Sequence, residues 1–312
     1  MTAQRTRRRQ LLRCLVAQAF LPGFLRGGDH GASIAFRRYR IDATVLLFSA
    51  PFLTRSGVGG AYLAQEQRTR ADGSTLLLEF AAGSWPERAH GIRRMGLFQE
   101  VQERREDRRA RATFFGFMTS SPEKNVMEAR RSLTQSTFTH YVGATGSGSH
   151  GRFQCRRMEF DLPPERKWEE CPGLAVDVRR RLAEPGCVAI EIDTGEAEPN
   201  TFLDSVRRAM HGAELQEATF VHNAQLYRLT ARRCADASAA SRLAAKRLAA
   251  HSARVEELTG TIADLTAGGS TGFRLWFDPE DPTGLPLCFE FRRAPFCAWL
   301  SNGIVLAKAL LQ

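Results

Sequence analysis

Several residue groupings in this chain have the right types for chemistry, and their spacing decides what each one is. Gly268-Gly269-Ser270-Thr271-Gly272 has the G-x-S-x-G form of a nucleophile elbow. That chemistry needs a strand before the serine and a helix after it, so that Oγ stands exposed on a strained turn. Here an alternating segment, Phe273 to Phe277, follows the motif and no histidine lies beyond His251, so the pattern predicts a turn. The seven histidines (30, 90, 140, 150, 211, 222 and 251) never form H-x-H or H-E-x-x-H. A metal site would have to assemble from distant positions such as His140, His150 and His222. Glu191 and Asp193 share one face of a predicted strand, about 7 Å apart by strand rise. Paired carboxylates serve glycoside hydrolysis, but a solvated strand face produces the same pairing. Asp278-Pro279-Glu280-Asp281-Pro282-Thr283-Gly284 is acidic enough for calcium, yet it lacks alternating oxygen ligands and reads as a hairpin turn. No catalytic, cofactor-binding or metal-ligating residue is assigned on these grounds.

Two glycine-rich segments complete the inventory. Gly143 to Gly151 (GATGSGSHG) has the backbone freedom to cradle an anion, but it lacks the G-K-[ST] ending of a phosphate loop. It predicts a flexible loop and a domain boundary within 143–151. Gly57-Val58-Gly59-Gly60 predicts a turn between strands.

The net charge of +10 suggests nucleic acid until its location is considered. Residues 1–33 carry six Arg and one Asp, about half of that surplus. The basic residues are 40 Arg against four Lys, a bias that a GC-rich bacterial genome produces without selection for phosphate contacts. Arg104 to Arg111 (RREDRRAR) contains no interleaved aromatics and predicts the solvated tip of a hairpin. Nucleic acid is therefore not an expected partner.

The same N-terminal residues read as an address. A basic segment (Arg5, Arg7, Arg8, Arg9, Arg13) precedes a 12-residue apolar run, Cys14 to Leu25, and then small residues up to Ser33, the tripartite order of a signal peptide. Arg8-Arg9-Gln10-Leu11-Leu12-Arg13 resembles a twin-arginine export signal, which implies a periplasmic or secreted protein; the alternative is an amphipathic helix of a cytoplasmic one. Twelve apolar residues fall short of the ~20 that span a bilayer. Beyond the leader lie six cysteines, at 155, 171, 187, 234, 288 and 297, without motif spacing. Cys171 and Cys187 are near enough in sequence to close a loop, and buried thiols are the default for the rest.

The elements that would position any site are mostly strands. Tyr39, Ile41, Ala43, Val45 and Leu47 alternate with polar residues, and the period of two returns at Leu76–Phe80, Phe115–Phe117, 152–161, Val188–Ile192, Phe220–Leu229, Phe273–Phe277 and Leu285–Phe291. Alternation implies antiparallel sheet with one wet face. Ser84-Trp85-Pro86-Glu87 and Ser120-Ser121-Pro122-Glu123 carry the capping-box pattern of helix starts, and Pro199-Asn200 precedes a third helix, Thr201 to His211. Ala235 to Asp264 is rich in strong helix formers. The apolar tail 294–312 predicts a packing helix.

These elements predict an α+β protein, a curved antiparallel sheet with helices on one face, as one domain over 34–293. The alternative is a ferredoxin-like β-α-β-β-α-β unit within 75–142. Phe273-Arg-Leu-Trp-Phe-Asp-Pro, a turn, and Leu285-Pro-Leu-Cys-Phe-Glu-Phe together resemble a hairpin of periplasmic lipoprotein-carrier-like proteins. The resemblance covers about 20 residues. It implies a curved sheet wrapped round an apolar cavity, and with it an apolar ligand such as a lipid and a possible peripheral association with a membrane. The 20 Phe of the chain are compatible with such a lumen. The alternatives are a hydrolase with dispersed His and carboxylates, or an envelope protein that works through a protein interface.

Overall fold

Every described strand pairs with its neighbours in antiparallel fashion, and together the strands form one sheet. The structure, a computed structural model, describes residues 32–47, 50–89, 94–105, 109–119, 139–149, 151–162, 167–184, 187, 189–195, 200–245, 254–266, 268–293 and 303–311. The strands are β1 (Ala32–Leu47), β2 (Ala50–Arg70), β3 (Gly73–Ser84), β4 (Arg94–Arg105), β5 (Arg109–Thr119), β6 (Thr139–Ser149), β7 (Arg152–Leu162), β8 (Ala189–Asp193), β9 (Leu215–His222), β10 (Gln225–Ala235), β11 (Glu256–Asp264), β12 (Ser270–Phe277), β13 (Cys288–Arg293) and β14 (Gly303–Leu311). A short 3₁₀ turn, Trp168–Glu170, leads into α1 (Cys171–Ala183); α2 is Phe202–His211 and α3 is Ala237–Ala245.

The hydrogen-bonded order is β8-β7-β6-β5-β4-β3-β2-β1-β14-β13-β12-β11-β10-β9. Two meanders thus run outward from the β1–β14 pair, where Tyr39 faces Leu311 and Leu47 faces Gly303. The sheet is open, with β8 and β9 as its edges. It is nevertheless curled, because a single apolar cluster joins Phe153, Cys155 and Ile192 near one edge to Val221, Ala224 and Leu226 near the other. Asn200 fastens the same seam, its carbonyl accepting the Val221 amide at 3.2 Å.

Alternation decides what each face carries. On the concave face Phe80, Phe98, Phe115, Phe220, Phe273 and Phe289 meet α2 or one another. α2 lies against this face and packs Phe202, Val206, Ala209 and Met210 into the cluster of β9–β13. On the convex face α1 buries Leu174, Ala175, Val178 and Leu182, spaced as one helical stripe, on Ala81, Met95, Leu97 and Phe114. α3 covers Trp276 and Cys288 from the convex side with Ala239 and Leu243.

The antiparallel, sheet-rich prediction is therefore right, and the placement of helices on one face is not. Both faces of the sheet are apolar in places, so both need cover. Residues 85–89 form a turn closed by the Ala89 amide on the Trp85 carbonyl, not a helix. β3, β4 and β5 are consecutive neighbours, which excludes the β-α-β-β-α-β order at its first helix. The second capping-box segment, from Ser120, lies outside the described residues.

Four further expectations change. Gly143–Ser149 is strand β6, not a loop. Its glycines make room for β7: a Cβ on Gly148 would lie 2.2 Å from the Arg152 carbonyl oxygen, and one on Gly146 3.1 Å from Cys155 Sγ. Gly57–Gly60 lies within β2, beside a register shift between Ile41 and Ala43. Among the described residues the alanine-rich segment is helical over Ala237–Ala245, and its Glu256–Asp264 portion is β11. The apolar tail likewise supplies a strand, β14, over Gly303–Leu311, between β1 and β13. Propensity lost in both places to the ladder bonds of flanking strands.

Phe220–Leu229, expected as one alternating strand, is instead broken by a two-residue turn into β9 and β10. Asn223 and Ala224 link β9 to β10 with φ of 51° and 53°, the two-residue geometry whose twist matches a hairpin.

Candidate ligand-binding site

The most charged buried spot in the described chain sits where α2 begins. Thr201 occupies the N-cap position but its side chain does not cap the helix. Glu100, from the concave face of β4, does so instead. Its carboxylate accepts the Leu203 amide at 2.6 Å, the Asp204 amide at 3.0 Å and the Thr201 hydroxyl at 2.5 Å. The free amides of a first turn are thus satisfied by a strand residue, which also fixes the helix in the concavity. Burial pushes the Glu100 carboxyl up to about 7, against those hydrogen bonds and with help from the Asp204 charge.

One turn into α2, Asp204 gathers three guanidinium groups. Arg111 of β5 donates to Oδ2 at 2.7 Å, Arg207 to Oδ1 at 2.9 Å, and Arg208 lies 2.8 Å from Oδ2. The Asp204 side chain is fully buried. Burial works to raise its pKa, and the surrounding donors and arginines outweigh it, so the carboxyl stays below the ordinary range. Arg111 is depressed by its own burial, with Asp204 opposing the effect. Three cations on one carboxylate leave positive charge over.

That surplus faces a cavity of about 270 Å³ walled by Arg104, Arg111, Arg207 and Arg208, with Gln67, Ser74 and Thr75 among the neutral donors. Arg207 also lines a second cavity, of about 90 Å³. The second is largely apolar: five phenylalanines (80, 202, 273, 289 and 291) and Met210 share its wall with aliphatic side chains, and Arg274 also lines it. Two polar atoms at this wall, Gln65 Oε1 and Arg207 Nε, are buried without a hydrogen-bond partner. Unpaired buried polar atoms are uncommon in folded proteins, and each has a cost.

Phe202 continues the apolar wall to His222. The His222 ring stands 4.8 Å from those of Phe98 and Phe115 and 5.4 Å from that of Phe202, with Tyr227 at 5.9 Å. Burial among these rings lowers its pKa to about 4, so the imidazole is neutral at pH 7.

The residue groups weighed in the sequence lie elsewhere. Ser270 is exposed at the start of β12, after a turn with positive φ at Gly268 and Gly269. Glu191 and Asp193 are exposed on β8, and Asp193 accepts the Gly195 amide. In the 278–284 turn Asp281 binds Arg37 and the Thr283 amide, so its cation is a guanidinium. His150 and the His140 side chain lie outside the described residues, and among those described no three metal-ligating side chains converge. Cys187 is in no disulfide, and neither are Cys155, Cys234 and Cys288.

Sequence reading missed Glu100, Asp204 and Arg207, and it placed Arg111 at a solvated hairpin tip, whereas its side chain is buried against Asp204. A signal existed: Glu100 shares its strand parity with Phe98, so a charge falls on the apolar face. Asp204, Arg207 and Arg208 likewise stand at i, i+3 and i+4 of a helix. No protein-family model, curated protein or solved structure matches the chain.

Proposed function

We propose that the chain is a binding or carrier module for an apolar ligand, a lipid or acyl chain, held between α2 and the concave face of the sheet. The observation that carries this reading is the phenylalanine-lined cavity of about 90 Å³. Empty apolar cavities stay dry and take small apolar molecules, about 150 Å³ sufficing for benzene. A space of this size suits a few methylene groups, and longer chains require Met210 and the phenylalanines to shift rotamer. The ligand is accordingly a slender alkyl chain, not a bulky ring system. Export by the N-terminal leader belongs to the same proposal. Host fractionation with N-terminal sequencing tests it, and a cytosolic product starting at Met1 refutes it.

The test of binding uses 1-octanol, which has a chain and no charge. Calorimetric titration is expected to show saturable, one-to-one binding with a negative heat-capacity change. Val206→Trp, on the cavity wall, is expected to abolish it while leaving the circular dichroism spectrum unchanged. Non-saturable uptake, or equal binding by the filled variant, would overturn the reading.

A further inference from the structure

We infer that the arginine-walled compartment is an anion site for the oxyanion head, carboxylate or phosphate, of an amphiphile whose chain lies in the apolar cavity. This rests on the apolar-ligand reading and adds the chemistry of the other end. Four arginines (104, 111, 207 and 208) wall one space of about 270 Å³, and Glu103 is the only carboxylate among its lining residues. Beneath them Asp204 can neutralise a single charge, although three of the four are bonded to it. Guanidinium groups offer carboxylate and phosphate two parallel N–H donors, which makes such a cluster selective for planar or tetrahedral oxyanions.

Arg207 connects the two compartments. It lines both cavities, its Nη2 is held on Asp204 Oδ1, and its Nε is buried without a partner. Asp204 therefore fixes the guanidinium and leaves an N–H donor unused at the boundary between apolar and polar space. An acid head placed there would satisfy it while its chain points to Phe80 and Phe289. The neutral hydroxyls of Ser74 and Thr75 supply further donors on the polar side. Two adjoining spaces of opposite character, bridged by one side chain, fit a molecule of the same two-part character.

Four probes of known structure separate the possibilities: octanoate, octyl phosphate, 1-octanol and inorganic phosphate, each titrated calorimetrically at fixed ionic strength. Octanoate, octyl phosphate or both are expected to bind at least tenfold more tightly than 1-octanol, and the stronger of the two names the head. Arg104→Gln, at an exposed position, and Arg208→Gln are expected to close that gap and leave 1-octanol affinity unchanged. Equal affinity for octanol and both anions would overturn the head site and spare the apolar reading. Inorganic phosphate binding as well as octyl phosphate, with no gain from the chain, would overturn the amphiphile and the apolar reading together but keep an anion site. Failure of all four to bind folded protein would remove both.

Discussion

Glu100 and His222 should give the wild-type protein a flat stability profile across mildly acidic pH by opposing one another. Folding raises the Glu100 carboxyl from 4.5 to about 7, so the folded state holds that proton more tightly than the unfolded chain. Its contribution is fully present below pH 4.5 and is lost as pH rises through 7. Folding lowers His222 from 6.5 to about 4, so the unfolded chain binds that proton more tightly. Its contribution is fully present above pH 6.5 and is lost as pH falls through 4. Each displacement corresponds to about 3 kcal/mol, and between pH 4.5 and 6.5 the two slopes have opposite sign. Glu100→Gln keeps an oxygen for the α2 amides while removing the titration, and His222→Phe keeps a ring among Phe98, Phe115 and Phe202. Urea unfolding at constant ionic strength from pH 4 to 8 yields the difference curves directly. Relative to wild type, Glu100→Gln should gain about 3 kcal/mol from pH 4.5 to 8, and His222→Phe should lose a similar amount from pH 4 to 6.5. Glu79 and His211 are shifted in the same senses by burial but cancel in a difference. Asp204 and Asp281, held low, act below this window. A Glu100→Gln difference curve flat to within 1 kcal/mol would refute the argument.

Removing the Asp204 charge should be severe, because Arg111 is left buried and unpaired. Asp204→Asn is expected to cost about 3–5 kcal/mol by urea unfolding, and Asp204→Leu combined with Arg111→Met should recover more than half of it. Gly148→Ala forces a Cβ to within 2.2 Å of the Arg152 carbonyl oxygen and should lower stability by about 2 kcal/mol. Its control, Gly272→Ala, meets nothing nearer than 4.0 Å and should stay within about 0.5 kcal/mol. Phe277→Ala empties a fully buried ring position under α2 and should cost about 3–5 kcal/mol, read as a fall in the urea midpoint.

What was legible in the sequence was the period of two. It marked β1, β7, β12 and the sheet's antiparallel character, because a side chain's face is set by its own position in the strand. Segments decided by distant partners were not legible. Gly143–Ser149 has the composition of a loop and becomes β6 because β5 and β7 flank it and need small residues between them. Glu256–Asp264 ends an alanine-rich run and becomes β11 because β10 and β12 offer it ladder bonds on both sides. α1 was missed although Leu174, Ala175, Val178 and Leu182 have helical spacing, since it follows a polar run rich in proline and charge. The site was missed for the same reason at longer range. Glu100 lies 101 residues from Thr201, and Arg111 lies 93 from Asp204. No local pattern marks such pairs.

The internal helix explains why the candidate site has two compartments. Barrels of about eight strands can be filled by their own side chains, while wider ones enclose space. A curled sheet of fourteen strands leaves more than its phenylalanines occupy, and α2 takes the excess. A helix has an apolar face and a polar one. Here the apolar face is buried, while on the polar face Asp204 is buried and Arg207 and Arg208 keep part of their surface open. Phe202, Val206 and Met210 meet apolar strands, whereas Asp204 meets Glu100 and Arg111 and gathers Arg207 and Arg208 beside it. The space left along the first face is apolar and the space along the second is cationic. Because Arg207 stands at the border of the two, the spaces adjoin. Amphipathicity, which on a surface helix separates core from solvent, here divides the space beside α2 into an apolar part and a cationic part.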